Sequence, residues 1–314
     1  MNEADMNHPR KLRGLAFYCR AVLCGSLMLL TAWLTQAAPQ QQKKQKQTST
    51  APAAVSPTLT RTTTRHETRR MGYGGALTVY GAPEGSITIE AWPKAEIDVT
   101  ADIELRANTE EELTRLAAVN NFLFDAEPNH VQVITTGTHD RKFMKRVARD
   151  FPVHLLTMPW KINYRIRVPA ATDLEIYAGR GALNVSGVEG AIRLNAGESA
   201  ATLQFTGGDV TTTIERGPVN IRVAARSWRG RGADIRVASG DLTIELPANF
   251  NGDINAKVLR AGRIENDYPA LTPRDENNPP TDRAQQLRAG AGGTVLSFTV
   301  GDGTLRIKAV GSGQ

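Results

Sequence analysis

The chain has 314 residues, 40% of them apolar and 22% charged, a composition that fits a folded globular protein and excludes a disordered one. Twenty-eight glycines against 6% aromatics suit many tight turns around an aliphatic core better than a large helical one. The net charge of +6 is modest for this length; it favours contact with anionic lipid headgroups or acidic polysaccharide without demanding it.

Arg10, Lys11, Arg13 and Arg20 precede an apolar run from Ala21 to Leu34, and Thr35-Gln36-Ala37-Ala38 follows. A basic flank, a short apolar stretch and small residues at the cut form a secretory signal peptide over 1–37. The run is shorter than the ~20 residues that span a bilayer, so an uncleaved anchor is the second reading. Both cysteines, Cys19 and Cys24, fall inside this segment. Leu23 stands where a lipoprotein acylation site at Cys24 would want a small residue, and a mature chain cut after Ala37 carries no thiol for disulfides or metal.

Residues 38–74 read as a polar linker, most clearly from Gln40 to Arg61, where Gln, Lys, Thr, Ser, Ala and Pro cannot bury enough surface to offset the entropy of ordering. A first strand-rich part follows over 75–170. Leu77 and Val79, Ile87 and Ile89, and Ile97, Val99, Ile103 and Leu105 alternate with polar residues at the period of a strand. One helix interrupts them, capped by Asn108 or Thr109 with Glu111 and Glu112 in its first turn and Leu113, Leu116, Ala117 and Phe122 as its buried stripe. Strands resume at Val131–Ile134 and Ile162–Val168.

Over 171–310 a repeat appears. Steps of nine from Leu174 land on Leu183, Ile192, Ala201, Val210, Val219, Trp228, Val237 and Leu246, all apolar. Gly181, Gly190, Gly208 and Gly217 keep a matching place between them. A short strand and a glycine turn, repeated, predict an all-β fold, a β-solenoid or β-helix-like stack with one helix in its N-terminal part. The alternative is a β-sandwich, whose strands recur at similar spacing. Residues 269–286, rich in Pro, Asp, Asn and Arg, read as a loop inserted before the last strands.

The order of these pieces carries a resemblance. Gly85-Ser86-Ile87-Thr88-Ile89-Glu90-Ala91-Trp92 precedes Glu96-Ile97-Asp98-Val99-Thr100, then come the helix and the strand Tyr164–Pro169. The glycine-punctuated repeats follow, with Ser239-Gly240-Asp241-Leu242-Thr243-Ile244 and, near the end, Gly301-Asp302-Gly303-Thr304-Leu305-Arg306-Ile307. Over about Gly75 to Val310 the chain resembles the bacterial putative-adhesin family of β-strand-repeat proteins, a family of uncharacterised function. The resemblance implies a β-helix-like envelope or secreted protein and brings no functional residues with it.

Chemistry-bearing residues are sparse in pattern. Glycoside hydrolysis needs two carboxylates ~5–9 Å apart, and the outward repeat positions Glu175, Asn184, Arg193, Thr202, Thr211, Asn220 and Arg229 align no acidic pair. Asp209, Asp234, Asp241 and Asp253 lie by turn glycines, where Asp satisfies local backbone donors. His8, His66, His130, His139 and His154 do not pair at metal-ligand spacing, and a calcium-binding nonapeptide repeat would need its Asp in successive units. Neither a phosphate-binding nor a dinucleotide-binding glycine loop occurs. We expect no catalytic residues, cofactor or metal.

Two basic stretches are the candidate contacts for an anionic ligand. Lys142, Lys145 and Arg146, with Arg141 and Arg149, surround Phe143, Met144 and Val147; as a helix they would form a basic amphipathic face able to lie on an anionic membrane, or a solvated face packed on its own domain. Arg226, Trp228, Arg229 and Arg231 stand among glycines, a charged corner that could stack on sugar rings; nucleic acid does not suit an exported protein. The expected function is that of an exported, non-enzymatic adhesin or envelope scaffold, periplasmic, cell-surface or secreted. Its partners would be polysaccharide, the envelope surface, another envelope protein or further copies of itself. The alternatives are an envelope sensor on an uncleaved anchor and a carbohydrate-active β-helix enzyme.

Overall fold

The computed structural model describes residues 57–310. The segment read as a signal peptide and the polar run as far as residue 56 lie outside the described residues. In chain order, β1 (Leu59–Arg70), β2 (Ala76–Tyr80), β3 (Ile87–Trp92) and β4 (Glu96–Ala107) lead to helix α1 (Glu110–Val119). β5 (Asn121–Ala126) and β6 (His130–Thr136) precede helix α2 (Arg141–Val147) and a 3-10 turn, η1 (Val153–Thr157). β7 (Trp160–Pro169) follows, and β8 (Asp173–Ser186), β9 (Ala191–Phe205), β10 (Gly207–Arg216), β11 (Val219–Val223), β12 (Arg229–Ser239) and β13 (Leu242–Leu246) cover the repeat. β14 (Gly252–Ala261), β15 (Ile264–Asp267), β16 (Leu271–Pro273), β17 (Ala284–Ala289), β18 (Val295–Asp302) and β19 (Leu305–Ala309) complete an all-β architecture.

Pairing sorts the strands into two ladders. Neighbour by neighbour, the first runs β5, β6, β2, β8, β9, β10, β12, β18, β14, β17, β16. The second runs β1, β4, β7, β3, β8, β9, β11, β13, β19, β15. Every pairing from β6 to β14 and from β7 to β15 is parallel. β8 and β9 are long enough to join both ladders, so hydrogen bonds link all nineteen strands.

The nine-residue spacing has a simple origin. Leu174, Ile192 and Val210 align in the first ladder, and Leu183, Ala201 and Val219 in the second, so alternate steps belong to alternate ladders. All six are at most 2% exposed and belong to one apolar cluster with the inward residues of both ladders. Burying a large aliphatic side chain stabilises by about 1.5–3 kcal/mol, and stacking on the next strand supplies that burial where a single strand cannot.

After Val219 the lattice fails in register although its landings stay buried. Val210 pairs with Ala233 and Val219 with Leu242, each five residues beyond the expected position, because residues 224–228 widen that turn. Val237 and Leu246 are inward through two-residue alternation alone, and Trp228 is buried from the turn itself, against Phe205.

Other expectations need correction. Part of the polar linker over 38–74 is strand: β1 pairs along its whole length with β4, since alternating Thr and Arg suit an exposed edge that buries little. The loop over 269–286 contains β16 and the start of β17, which pair antiparallel. Strands from either side of residue 170 share both ladders, since β2 lies between β6 and β8, and β3 between β7 and β8. Thr109 caps α1 in a capping box with Glu112, and Leu113, Leu116 and Val119 form its buried stripe; Phe122 is buried from β5. The basic stretch forms the second helix.

Candidate functional site

Outward side chains line up across the strands as regularly as inward ones do. In the first ladder Leu123, Ile134, Tyr80, Tyr177, Asn195, Thr213, Arg236, Thr299 and Lys257 occupy one row on nine successive strands. Strands stand ~4.8 Å apart, so the row is roughly 38 Å long. Its first four members are apolar or aromatic and its last five polar. Leu123 is 50% exposed, Tyr80 41% and Tyr177 37%, values unusual for such side chains on a strand. The Tyr80 and Tyr177 rings stack with centroids 5.0 Å apart and planes 2° from parallel. The Tyr177 hydroxyl donates to Glu175 at 2.9 Å, which holds the pair upright and pushes its pKa up.

The outward positions inferred from sequence divide between the ladders. Glu175, Arg193 and Thr211 share a row beside the tyrosines, whereas Asn184, Thr202 and Asn220 lie on the second ladder with Thr88 and Thr243. That second row continues to Arg165 and Thr100, where Thr88, Glu90, Asp98, Thr100, Arg165 and Arg167 outline a shallow depression of about 260 Å³. Sequence reasoning passed over the tyrosines, because Tyr80 and Tyr177 lie 97 positions apart and meet only through the β2–β8 register.

Carboxylates on these faces are clamped by cations. Burial raises the Asp98 carboxyl, but hydrogen bonds from His66 and Arg167 outweigh it and hold the group below its usual range. Glu265 is lowered by Arg306 and Arg263, Asp253 by Arg288, and Asp302 by Arg260. A general acid needs the opposite shift. Apart from Arg263–Glu265, which stand two residues apart, these pairs cross between adjacent strands, as Arg222–Glu245–Lys308 does, and act as ties along the ladder. Among the described residues no three His, Cys, Asp or Glu side chains converge as metal ligands.

The two basic stretches fare differently. Trp228 is buried, its ring edge-on to Phe205 at 6.3 Å and its Nε1 donating to the Gly208 carbonyl at 3.0 Å, so it offers no face to a sugar. Arg229 is paired with Glu189 at 2.9 Å and Arg231 with Asp209 at 3.6 Å; Arg226 is exposed. Lys142, Lys145 and Arg146 are exposed on α2, whose Met144 packs inward. Among the described residues no hydrogen bond or ion pair connects the two stretches.

No family model and no curated protein matches the chain. Solved structures do resemble it. A putative cell adhesion protein from Clostridium sporogenes is 10% identical with a TM-score of 0.41, covering 79% of this chain and 100% of its own. A putative adhesin from Bacteroides fragilis is 10% identical with a TM-score of 0.29, covering 81% and 99%. A putative adhesin from Parabacteroides merdae is also 10% identical, with a TM-score of 0.20, covering 78% and 95%. Among the described residues no helix is long and apolar enough to cross a membrane.

Proposed function

We infer that this chain is an exported, non-enzymatic binding scaffold of the adhesin or cell-envelope kind, built as a β-solenoid, which holds polysaccharide along the outer row of its first ladder. Parallel registers repeated from strand to strand favour coils over a sandwich of antiparallel sheets. The observation that carries the function is the exposed apolar and aromatic strip Leu123–Ile134–Tyr80–Tyr177 continuing into Asn195 and Thr213. Sugars present apolar C–H faces and hydroxyl rims, and this row offers aromatic surface followed by amide and hydroxyl partners on a rigid support. The lowered carboxylates, each tied to a cation, support a role without turnover.

Binding to an array of envelope polysaccharides tests the reading. Tyr80→Ala combined with Tyr177→Ala is expected to weaken capture at least about tenfold, equivalent to ~1.4 kcal/mol, with the melting temperature nearly unchanged because both rings are exposed. Undiminished capture by that variant would move binding elsewhere, and measurable cleavage of the captured glycan would overturn the non-enzymatic assignment.

A further inference from the structure

Between β6 and β7 the chain leaves the ladders and forms α2 and η1. Arg141, Lys142, Lys145, Arg146 and Arg149 are all exposed there, and among the described residues none makes an ion pair or a side-chain hydrogen bond; the one carboxylate whose charge acts on them is Asp140, the cap of the helix, which is lowered chiefly by its backbone hydrogen bonds and also by Lys142. Arginines on the ladders behave differently, as Arg222 with Glu245, Arg260 with Asp302 and Arg306 with Glu265 show. Apolar side chains stand among the five cations: Val147 is 51% exposed, Val153 78% and Leu156 38%. A groove of about 900 Å³ runs between the two elements, with Met144, Ala148, Phe151 and Leu156 in its walls.

We propose that this surface docks the protein on a lipid bilayer rich in anionic headgroups, a site separate from the tyrosine row. Five unpaired cations confined to nine residues repel one another, and a negative bilayer relieves that repulsion. Exposed Val and Leu beside them gain by entering the boundary between headgroups and acyl chains, as in interfacial helices. An acidic polysaccharide would satisfy the charges, but its C–H faces stack on flat aromatic rings such as Tyr80 and Tyr177, whereas the exposed apolar groups here are the aliphatic Val147, Val153 and Leu156.

Arg61, near the start of β1, is bonded to Glu110 at 2.6 Å, and Glu112 lies 3.3 Å from His154 of η1. The first turn of α1 therefore ties the start of β1 to η1, on which Val153 and Leu156 stand.

The test is flotation of the full chain with vesicles of phosphatidylcholine, alone or mixed with phosphatidylglycerol. Each headgroup-facing Lys or Arg is worth about fivefold in partitioning, so Lys142→Gln, Lys145→Gln and Arg146→Gln together should lose roughly 100-fold on the mixed vesicles. Removing the same charge elsewhere, with Arg193→Gln, Arg216→Gln and Lys257→Gln, should change partitioning by less than about twofold when salt keeps the Debye length near 10 Å. Val153→Ser with Leu156→Ser should weaken vesicle binding while the melting temperature stays that of the wild type. Equal losses in the two charge variants, equal binding to neutral vesicles, or an apolar variant that binds vesicles undiminished would overturn the proposal. So would retention of an acidic polysaccharide, but not of vesicles, through Lys142, Lys145 and Arg146.

Discussion

Gly240→Ala is the sharpest probe of how the strands stack. Gly240 sits at the bend between β12 and β13 with φ +142°, a conformation that side chains with a Cβ rarely adopt. A Cβ there would lie 2.1 Å from the Gly217 carbonyl oxygen of the neighbouring strand pair, where real contacts do not fall below 3.0 Å. The same geometry repeats along the bend: a Cβ at Gly303 would meet the Gly240 oxygen at 2.2 Å, and one at Gly262 the Gly303 oxygen at 2.0 Å. Close approach at this column is what lets Gly240 N–H donate to Asp302 at 2.8 Å and Gly217 N–H to Ser239 at 3.0 Å. Backbone strain of about 1–3 kcal/mol and a weakened hydrogen bond of about 1 kcal/mol place the loss near 3 kcal/mol. For a folded body of this size that lowers the melting temperature by roughly 6–12 °C. Gly72→Ala is the control, since a Cβ there would meet only the Asn129 side chain at 3.7 Å, an ordinary contact, and its φ is not positive. Circular dichroism melts decide the matter: a Gly240→Ala variant melting with the wild type would refute the close-stacked bend.

Two further outcomes follow from side chains inside and between the ladders. Thr212 is fully buried between Leu194 and Ile235, and its hydroxyl finds no partner among the described residues; Thr212→Val should stabilise by about 1 kcal/mol in urea titration, and a loss of stability would mean that the hydroxyl is satisfied. Asp98, Asp253, Glu265 and Asp302 all have folded pKa values below their ordinary ones. The unfolded chain therefore binds more protons in the acid range, so their stabilisation is complete above the ordinary carboxylate pKa and disappears as pH falls through the lower folded values. Melting temperature should drop between about pH 5 and pH 3, and a flat profile there would contradict the assigned ties.

What the sequence reveals about this fold is what depends on near neighbours. Alternation marks Leu77, Ile87, Leu174 and Leu183 as inward because a strand's two faces are set by adjacent residues, and the Thr109–Glu112 cap is visible for the same reason. Register is a longer-range property. The widened turn at 224–228 displaces β12 and β13 by five residues, yet Trp228, Val237 and Leu246 still fall on inward positions, so composition hides the slip. The basic cluster on α2 was legible as five cations within nine residues. Its distinguishing property was not, because the missing partners are a fact about space. The Tyr80–Tyr177 stack is hidden similarly, its partners brought together by pairing and by nothing in the local pattern.

The order of strands in the ladders makes one more outcome specific to this molecule. In a simple stack of repeats the last strands in sequence form the end and fray first. Here β18 lies between β12 and β14, and β19 between β13 and β15, so the end of the described chain is held on both sides by parallel partners. The exposed edges fall instead to β5, β16, β15 and the Thr- and Arg-rich β1, short or charged strands that resist pairing with another molecule. Because β18 and β19 are flanked twice, their interior amides should exchange with solvent among the slowest in the protein, with Phe298, Val300 and Ile307 well behind Glu265 and Asn266 of β15. Deleting the chain from Val295 onward should uncover facing ladder edges on four strands and abolish cooperative folding rather than trim one rung. Native-state hydrogen exchange reads the first outcome and urea unfolding the second. Amides of β19 exchanging as fast as those of β15 would show that the last strands join the outside of the stack, and the intercalated order would be wrong.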